Sequence, residues 1–157
     1  MNLMMLLEMA ADGFGERVAI QNGAARLSYA ELFAAAGGAG ADVAGAGVER
    51  LAVLDVNSLA LPVGLFGAAC AGVPFVPLNY RLTGAPKAAV LRHRHLVSYI
   101  FGSVEFGGAA PEDAALVSVP PYHIAGIAAI LSSVYSGRRI VQLSSFSADA
   151  WLDTARA

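Results

Sequence analysis

The chain has 157 residues, 14% of them charged, with 10 Lys+Arg against 12 Asp+Glu and a formal net charge of -2. That length allows one ordinary domain, and a 57% hydrophobic composition excludes intrinsic disorder. With no basic stripe to neutralise phosphates, nucleic acid is excluded as the main partner.

The opening residues 1–8 carry an acid and lack both a basic leader and a small-residue cleavage site, so they read as the first helix of the domain. Residues 17–27 read as a hairpin with apolar Val18 and Ile20, turning at Asn22-Gly23, a pair suited to positive dihedrals. Ser28 with Glu31 three residues on forms a capping-box pattern, which opens a helix at Tyr29. Gly37, Gly38 and Gly40 weaken that helix, and Gly47 stops it. Leu51-Ala52-Val53-Leu54 reads as a buried strand. Asn57 or Ser58 caps a helix over residues 59–71, with Pro62 tolerated in its first turn and Gly72 ending it. Phe75-Val76 is the next strand, which completes a strand–helix–strand crossover unit. The lone cysteine, Cys70, excludes a disulfide scaffold. Lying in an apolar run, it reads as a small buried hydrophobe in a reducing, cytoplasmic compartment.

The second half repeats the alternation. A Gly/Pro loop over residues 83–87 leads to a helix over 92–101, a strand over 115–119 and a helix over 124–135 closed by Gly137. A strand over 139–143 follows, then a final helix capped by Ser147 and carrying Trp151 and Leu152. The fold class predicted is α/β: a partial, mostly parallel sheet with flanking helices.

Two uncharged stretches, residues 56–80 and 114–137, are long enough to span a bilayer. Prolines, glycines and serines divide each into strand-sized and helix-sized pieces. Strands of a parallel sheet also read as continuous apolar runs, so an integral membrane protein is the lesser reading.

Two short constellations carry chemistry. In Thr83-Gly84-Ala85-Pro86-Lys87, Thr83 offers a hydroxyl, Gly84 close backbone approach, Pro86 rigidity and Lys87 a positive charge, the parts of a phosphate site. Five such residues also make an ordinary exposed turn, and the ending is not that of a Walker loop. Pro120-Pro121-Tyr122-His123-Ile124-Ala125-Gly126 lies between a strand end and a helix start, where α/β proteins bind ligands. His123 is placed to hydrogen-bond or gate a carboxylate and Tyr122 to wall an apolar pocket. The competing reading is a packed histidine that satisfies a loop carbonyl. His93 and His95, two apart on a helix, point to nearly opposite sides, and no metal site is expected from them.

Several blocks in order resemble the N-terminal part of the AMP-forming acyl-CoA synthetases, in the adenylate-forming ligase superfamily (fatty-acyl and 4-coumarate-CoA ligase-like). They are Leu27-Ser28-Tyr29-Ala30-Glu31-Leu32, then Ala71-Gly72-Val73-Pro74-Phe75-Val76-Pro77-Leu78-Asn79-Tyr80-Arg81-Leu82, then Thr83-Gly84-Ala85-Pro86-Lys87. His93-Arg94 and Pro121-Tyr122-His123-Ile124-Ala125-Gly126 complete the series. The resemblance implies part of the large N-terminal domain, with 1–82 as its first α/β segment and 83–157 as a phosphate-loop remnant and second segment.

The resemblance also implies an internal deletion between Leu82 and Thr83, since the family carries a further α/β segment and the Ser-Gly-Thr half of its loop there. Ala88 stands where the family usually has Gly, and Arg92 where a Thr or Ser cap is common. The implied reaction is ligation of a carboxylic acid, a fatty acid above others, to CoA through an acyl-AMP, with ATP, Mg²⁺ and CoA as co-reactants. Thr83, Gly84, Pro86 and Lys87 would meet the nucleotide phosphates; Tyr122, His123 and Gly126 would line the acyl site. Family members run several times further, so the 157 residues alone are expected to be inactive, with no catalytic residue assigned. Uncovered sheet edges are expected to favour self-association. A non-catalytic module holding a nucleotide or acyl group is the alternative, and a membrane-associated protein a more distant one.

Overall fold

The computed structural model describes residues 1–79, 91–120 and 122–156. Its elements alternate as the sequence predicts. Helix α1 (Met4–Phe14) leads to the hairpin β1 (Val18–Asn22) and β2 (Ala25–Ser28), then helix α2 (Tyr29–Gly45). Strands β3 (Leu51–Val53) and β4 (Phe75–Pro77) flank helix α3 (Ala60–Ala71). The second half runs α4 (His93–Ser103), β5 (Ala114–Val117), α5 (Ile124–Ser136), β6 (Arg139–Gln142) and α6 (Ala148–Arg156).

Local chemistry sets most boundaries. Gly23, at φ +59°, turns the hairpin. The Ser28 hydroxyl accepts from the Glu31 N–H at 3.2 Å while the Glu31 carboxylate accepts from the Ser28 N–H at 2.8 Å, a complete capping box. Gly72 and Gly137 close α3 and α5 in the left-handed conformation. The Ser147 hydroxyl accepts from the Ala150 N–H at the start of α6.

The strands form two sheets. One has the order β2-β1-β6-β5, antiparallel only at the β1–β2 hairpin; the other is the parallel pair β3–β4. The architecture is therefore α/β with a mostly parallel sheet. Strand β1, from the start of the chain, pairs with β6 near its end, Ile20 opposite Ile140. One core joins both halves: Leu6, Leu7 and Ala10 of α1, Ile20, Tyr29 and Leu32, Phe66 of α3, Ile130, Leu131 and Val134 of α5, and Ile140.

Three details differ from the expectations. Leu51-Ala52-Val53-Leu54 is not a buried strand: Ala52 and Leu54 are exposed, because α3 covers one face of the two-stranded sheet and takes only Leu51, Val53 and Phe75. Cys70 is exposed rather than buried, lying at the α2–α3 crossing over Gly40. The N-cap of α3 is Leu59; Ser58 supports it by accepting from the Ala60 N–H, and Asn57 does something else entirely. At α4, where Arg92 has no cap acceptor to offer, His95 Nδ1 accepts from the Arg92 N–H at 3.4 Å. No helix of the described residues is long and apolar enough to cross a membrane.

Candidate functional site

Parallel strands present their carboxyl ends at one edge of a sheet, and the loops leaving that edge are where α/β proteins bind ligands. Here the edge collects the residues after β1, β5 and β6 and the turn between β3 and α3, tied together by side-chain amides. Asn57 Nδ2 donates to the carbonyls of Val119 and Leu143, both at 3.0 Å. Asn22 Nδ2 donates to the Asn57 carbonyl at 2.7 Å, and the Ser144 hydroxyl donates to Asn22 Oδ1 at 3.2 Å. The turn itself is braced by Asp55, whose carboxylate accepts from the Ser58 hydroxyl and from the Val56 N–H.

His123 stands on this edge as the N-cap of α5. Its backbone is extended, at φ -88° and ψ 137°, and its Nδ1 accepts from the Ala125 N–H at 3.2 Å. A neutral imidazole that accepts at Nδ1 carries its proton on Nε2. The exposed ring therefore turns a donor outward, at the helix end where the backbone dipole favours negative charge. The structure thus departs from the packed histidine donating to a loop carbonyl: the ring is exposed, and it accepts from the backbone. Tyr122 is half-buried beside it, and Gly126 is buried in the first turn, its N–H donating to the His123 carbonyl at 2.9 Å. Tyr122, His123 and Gly126 are thus brought together. Thr83, Gly84, Pro86 and Lys87 lie outside the described residues, as does Pro121.

Large apolar side chains follow the strand ends and stay exposed: Leu54 (65%) and Val56 after β3, Leu78 after β4, Val119 and Ile124 (50%) around the β5–α5 loop, and Phe146 (66%) after β6. A separate cleft of about 320 Å³ lies at the opposite, amino edge, lined by Ser103, Glu105, Ser132, Ser136 and Arg138.

Among the described residues no group of three His, Cys, Asp or Glu side chains stands close enough to hold a metal ion. His93 is half-buried, and its pKa is lowered, first by burial and then by the positive N-terminal amine. Sequence reasoning missed Asn57 by treating it as one of two candidate caps. The signal was there in the pair Asn57-Ser58, since one cap needs only one of them.

Residues 82–157 match the AMP-binding enzyme family. No protein of curated function matches the sequence. Among solved structures, ATP-bound MatB from Rhodopseudomonas palustris superposes with a TM-score of 0.82 at 20% identity, over 100% of this chain and 48% of that one. A fatty acyl CoA synthetase from Mycobacterium tuberculosis gives 0.79 at 16%, over 96% and 46%. O-succinylbenzoate CoA synthetase (MenE) from Bacillus subtilis, with ATP and magnesium ion, gives 0.76 at 17%, over 96% and 60%.

The fold is that of the N-terminal part of the adenylate-forming ligases. Over residues 82–157 the sequence is similar to the AMP-binding enzyme family. It spans 60% or less of the length of each of these three structures.

Proposed function

We propose that this chain is the acid-facing part of an AMP-forming acid–thiol ligase, a fatty acid being the favoured substrate. The reaction has two steps. A carboxylate oxygen attacks the α-phosphorus of ATP and expels pyrophosphate; the CoA sulfur then attacks the acyl carbon and expels AMP. Most of the barrier in such transfers is met by positioning and by stabilising developing charge. The observation that carries the reading is His123: capping by its Nδ1 fixes the outward Nε2–H beside an apolar rim at the carboxyl edge.

In this reading the His123 Nε2–H orients the carboxylate, and Tyr122 and Gly126 wall the start of the hydrocarbon chain. Thr83, Gly84, Pro86 and Lys87 hold the β- and γ-phosphates. ATP and Mg²⁺ are the co-reactants, in keeping with the ligands of the MatB and MenE structures, and CoA is the acyl acceptor. Among the described residues the metal finds no donor cluster. The described edge is built around amides, the Ser58 and Ser144 hydroxyls, an imidazole and the Asp55 carboxylate, none of which neutralises a triphosphate. By itself the 157-residue chain is therefore expected to bind ligand without turnover.

A stable acyl-adenylate analogue, an acyl sulfamate of adenosine, tests both statements. Saturable binding by the purified chain, weakened in His123→Ala, is the expected result, with no acid-dependent ATP–pyrophosphate exchange; Lys87→Ala should instead weaken the binding of ATP, which carries the β- and γ-phosphates that the analogue lacks. Exchange by the short chain would overturn the inactivity; absence of binding would overturn the assignment of the site.

A further inference from the structure

We propose that Asn57 is a positioning residue for the Tyr122–His123 loop, holding the outward imidazole through an amide bridge between the β3–α3 turn and the carboxyl ends of β5 and β6. The inference rests on the reading of His123 given above, and adds to it a residue outside the acid-facing loop.

The last rung between β5 and β6 is the Leu143 N–H donating to the Val117 carbonyl at 3.1 Å. Beyond it the two chains go separate ways, one into the β5–α5 loop and the other toward α6. Carbonyls left there would lose their protein partners, and a carbonyl shielded from water without a donor is costly; these two are part-buried. Asn57 is only 3% exposed and supplies the missing donors. A side-chain amide has two N–H groups, and both are used, one on Val119 and one on Leu143. Its Oδ1 is buried with no hydrogen-bond partner among the described residues, so the bridge depends on the NH₂ end. The Asn57 backbone is held in turn by Asn22, at the end of β1.

The path from this anchor to the imidazole is short. Val119 is followed by Pro120, whose carbonyl accepts from the His123 N–H at 3.0 Å. His123 then accepts from the Ala125 N–H through Nδ1. A shift of the Val119 carbonyl thus reaches the imidazole through the Pro120–His123 hydrogen bond. Asn57→Asp is the sharpest perturbation, because it keeps the size of the side chain and replaces both donated hydrogens with an acceptor facing two carbonyl oxygens.

The experiment uses the ¹⁵N-labelled 157-residue chain and three readouts: the imidazole ¹⁵N shifts of His123, amide exchange at Ala125, and amide exchange at Ile130 in the middle of α5. In Asn57→Asp the shifts are expected to move from the Nε2–H tautomer toward a mixture. The ratio of Ala125 to Ile130 exchange should rise about tenfold, the factor one lost hydrogen bond is worth. General loosening would move both amides together and leave their ratio unchanged. Should Asn57→Asp fail to fold, Asn22→Ala removes the outer tie to the Asn57 carbonyl, together with the acceptor of the Ser144 hydroxyl, and is expected to move the same readouts in the same direction by less. Unchanged imidazole shifts and an unchanged exchange ratio in whichever variant folds would overturn the proposal. None of these readouts needs a ligand. If they respond as expected while the acyl-adenylate analogue fails to bind, the acid-facing reading of His123 falls and the bridge to its loop stands.

Discussion

A Cβ built on Gly40 would sit 2.7 Å from Cys70 Cβ and 2.9 Å from its Sγ, so α2 and α3 cross where one helix has no side chain at all. Gly67 answers from α3, where a Cβ would fall 2.9 Å from that of Ala39. Helix α2 therefore holds glycines of two kinds, since a Cβ on Gly37 or Gly38 meets nothing within 4 Å. Gly40→Ala is expected to destabilise the chain by about 1–3 kcal/mol through overpacking. Gly38→Ala should stabilise it by up to about 1 kcal/mol through helix propensity. Urea unfolding of the two variants checks the opposite signs.

Tyr29 links the start of α2 to the end of α5. Its hydroxyl is directed at the carbonyls of Ser133 (3.2 Å) and Arg138 (3.0 Å), and its ring meets Phe14 edge-on at 5.5 Å. Burial pushes the phenol pKa well above its ordinary value, so the group stays a donor at any working pH. Tyr29→Phe keeps the ring and leaves those carbonyls short of a donor, a cost of about 1–3 kcal/mol. Thermal unfolding should show a midpoint lowered by roughly 2–4 °C for each kcal/mol lost.

His93 gives the chain a pH dependence of predictable sign. Burial, and then the positive N-terminal amine, hold its folded pKa below the ordinary value of 6.5. Its neutral form therefore belongs to the fold, and the unfolded chain takes up the proton first. The His93 contribution is fully present above about pH 6.5 and is lost as pH falls through the folded value. The urea midpoint of the unsubstituted chain should fall more steeply between pH 7.5 and 5.5 than that of His93→Gln. The difference between the two isolates this group from the carboxylates.

Capping and ligand contact separate at His123. His123→Ala removes the acceptor for the Ala125 N–H and should cost about 1 kcal/mol, as lost N-caps do. His123→Asn restores a good cap acceptor without the outward Nε2–H. Its stability should therefore be close to that of the unsubstituted chain while affinity for the acyl-adenylate analogue falls. Equal affinity in the two folded proteins would show that the imidazole serves α5 alone.

Elements fixed by neighbours in sequence were legible: the Asn22-Gly23 turn, the Ser28–Glu31 box, and the glycines that close α3 and α5. Relations set by packing were not. Nothing local says that Ile20 pairs with Ile140, or that β3 and β4 leave the larger sheet and expose Leu54. Helix α3 is apolar nearly all round, so no stripe shows which side faces out, and Cys70 was assigned to the wrong one. The aromatic–His loop stands out in the sequence as a candidate site because of its place after a strand. The tautomer of His123 was not, because it depends on an N–H in the next turn. Asn57 was hidden for a similar reason, its partners lying 62 and 86 residues away.

In the proposed function the acid binds at the carboxyl edge beside His123. Amide chemical-shift mapping of the labelled chain with the acyl-adenylate analogue tests it most directly. Saturable shifts concentrated at residues 54–58, 117–126 and 142–146 are expected. Shifts confined to the amino-edge cleft around Ser103, Glu105 and Arg138, or no saturable shifts at all, would contradict it.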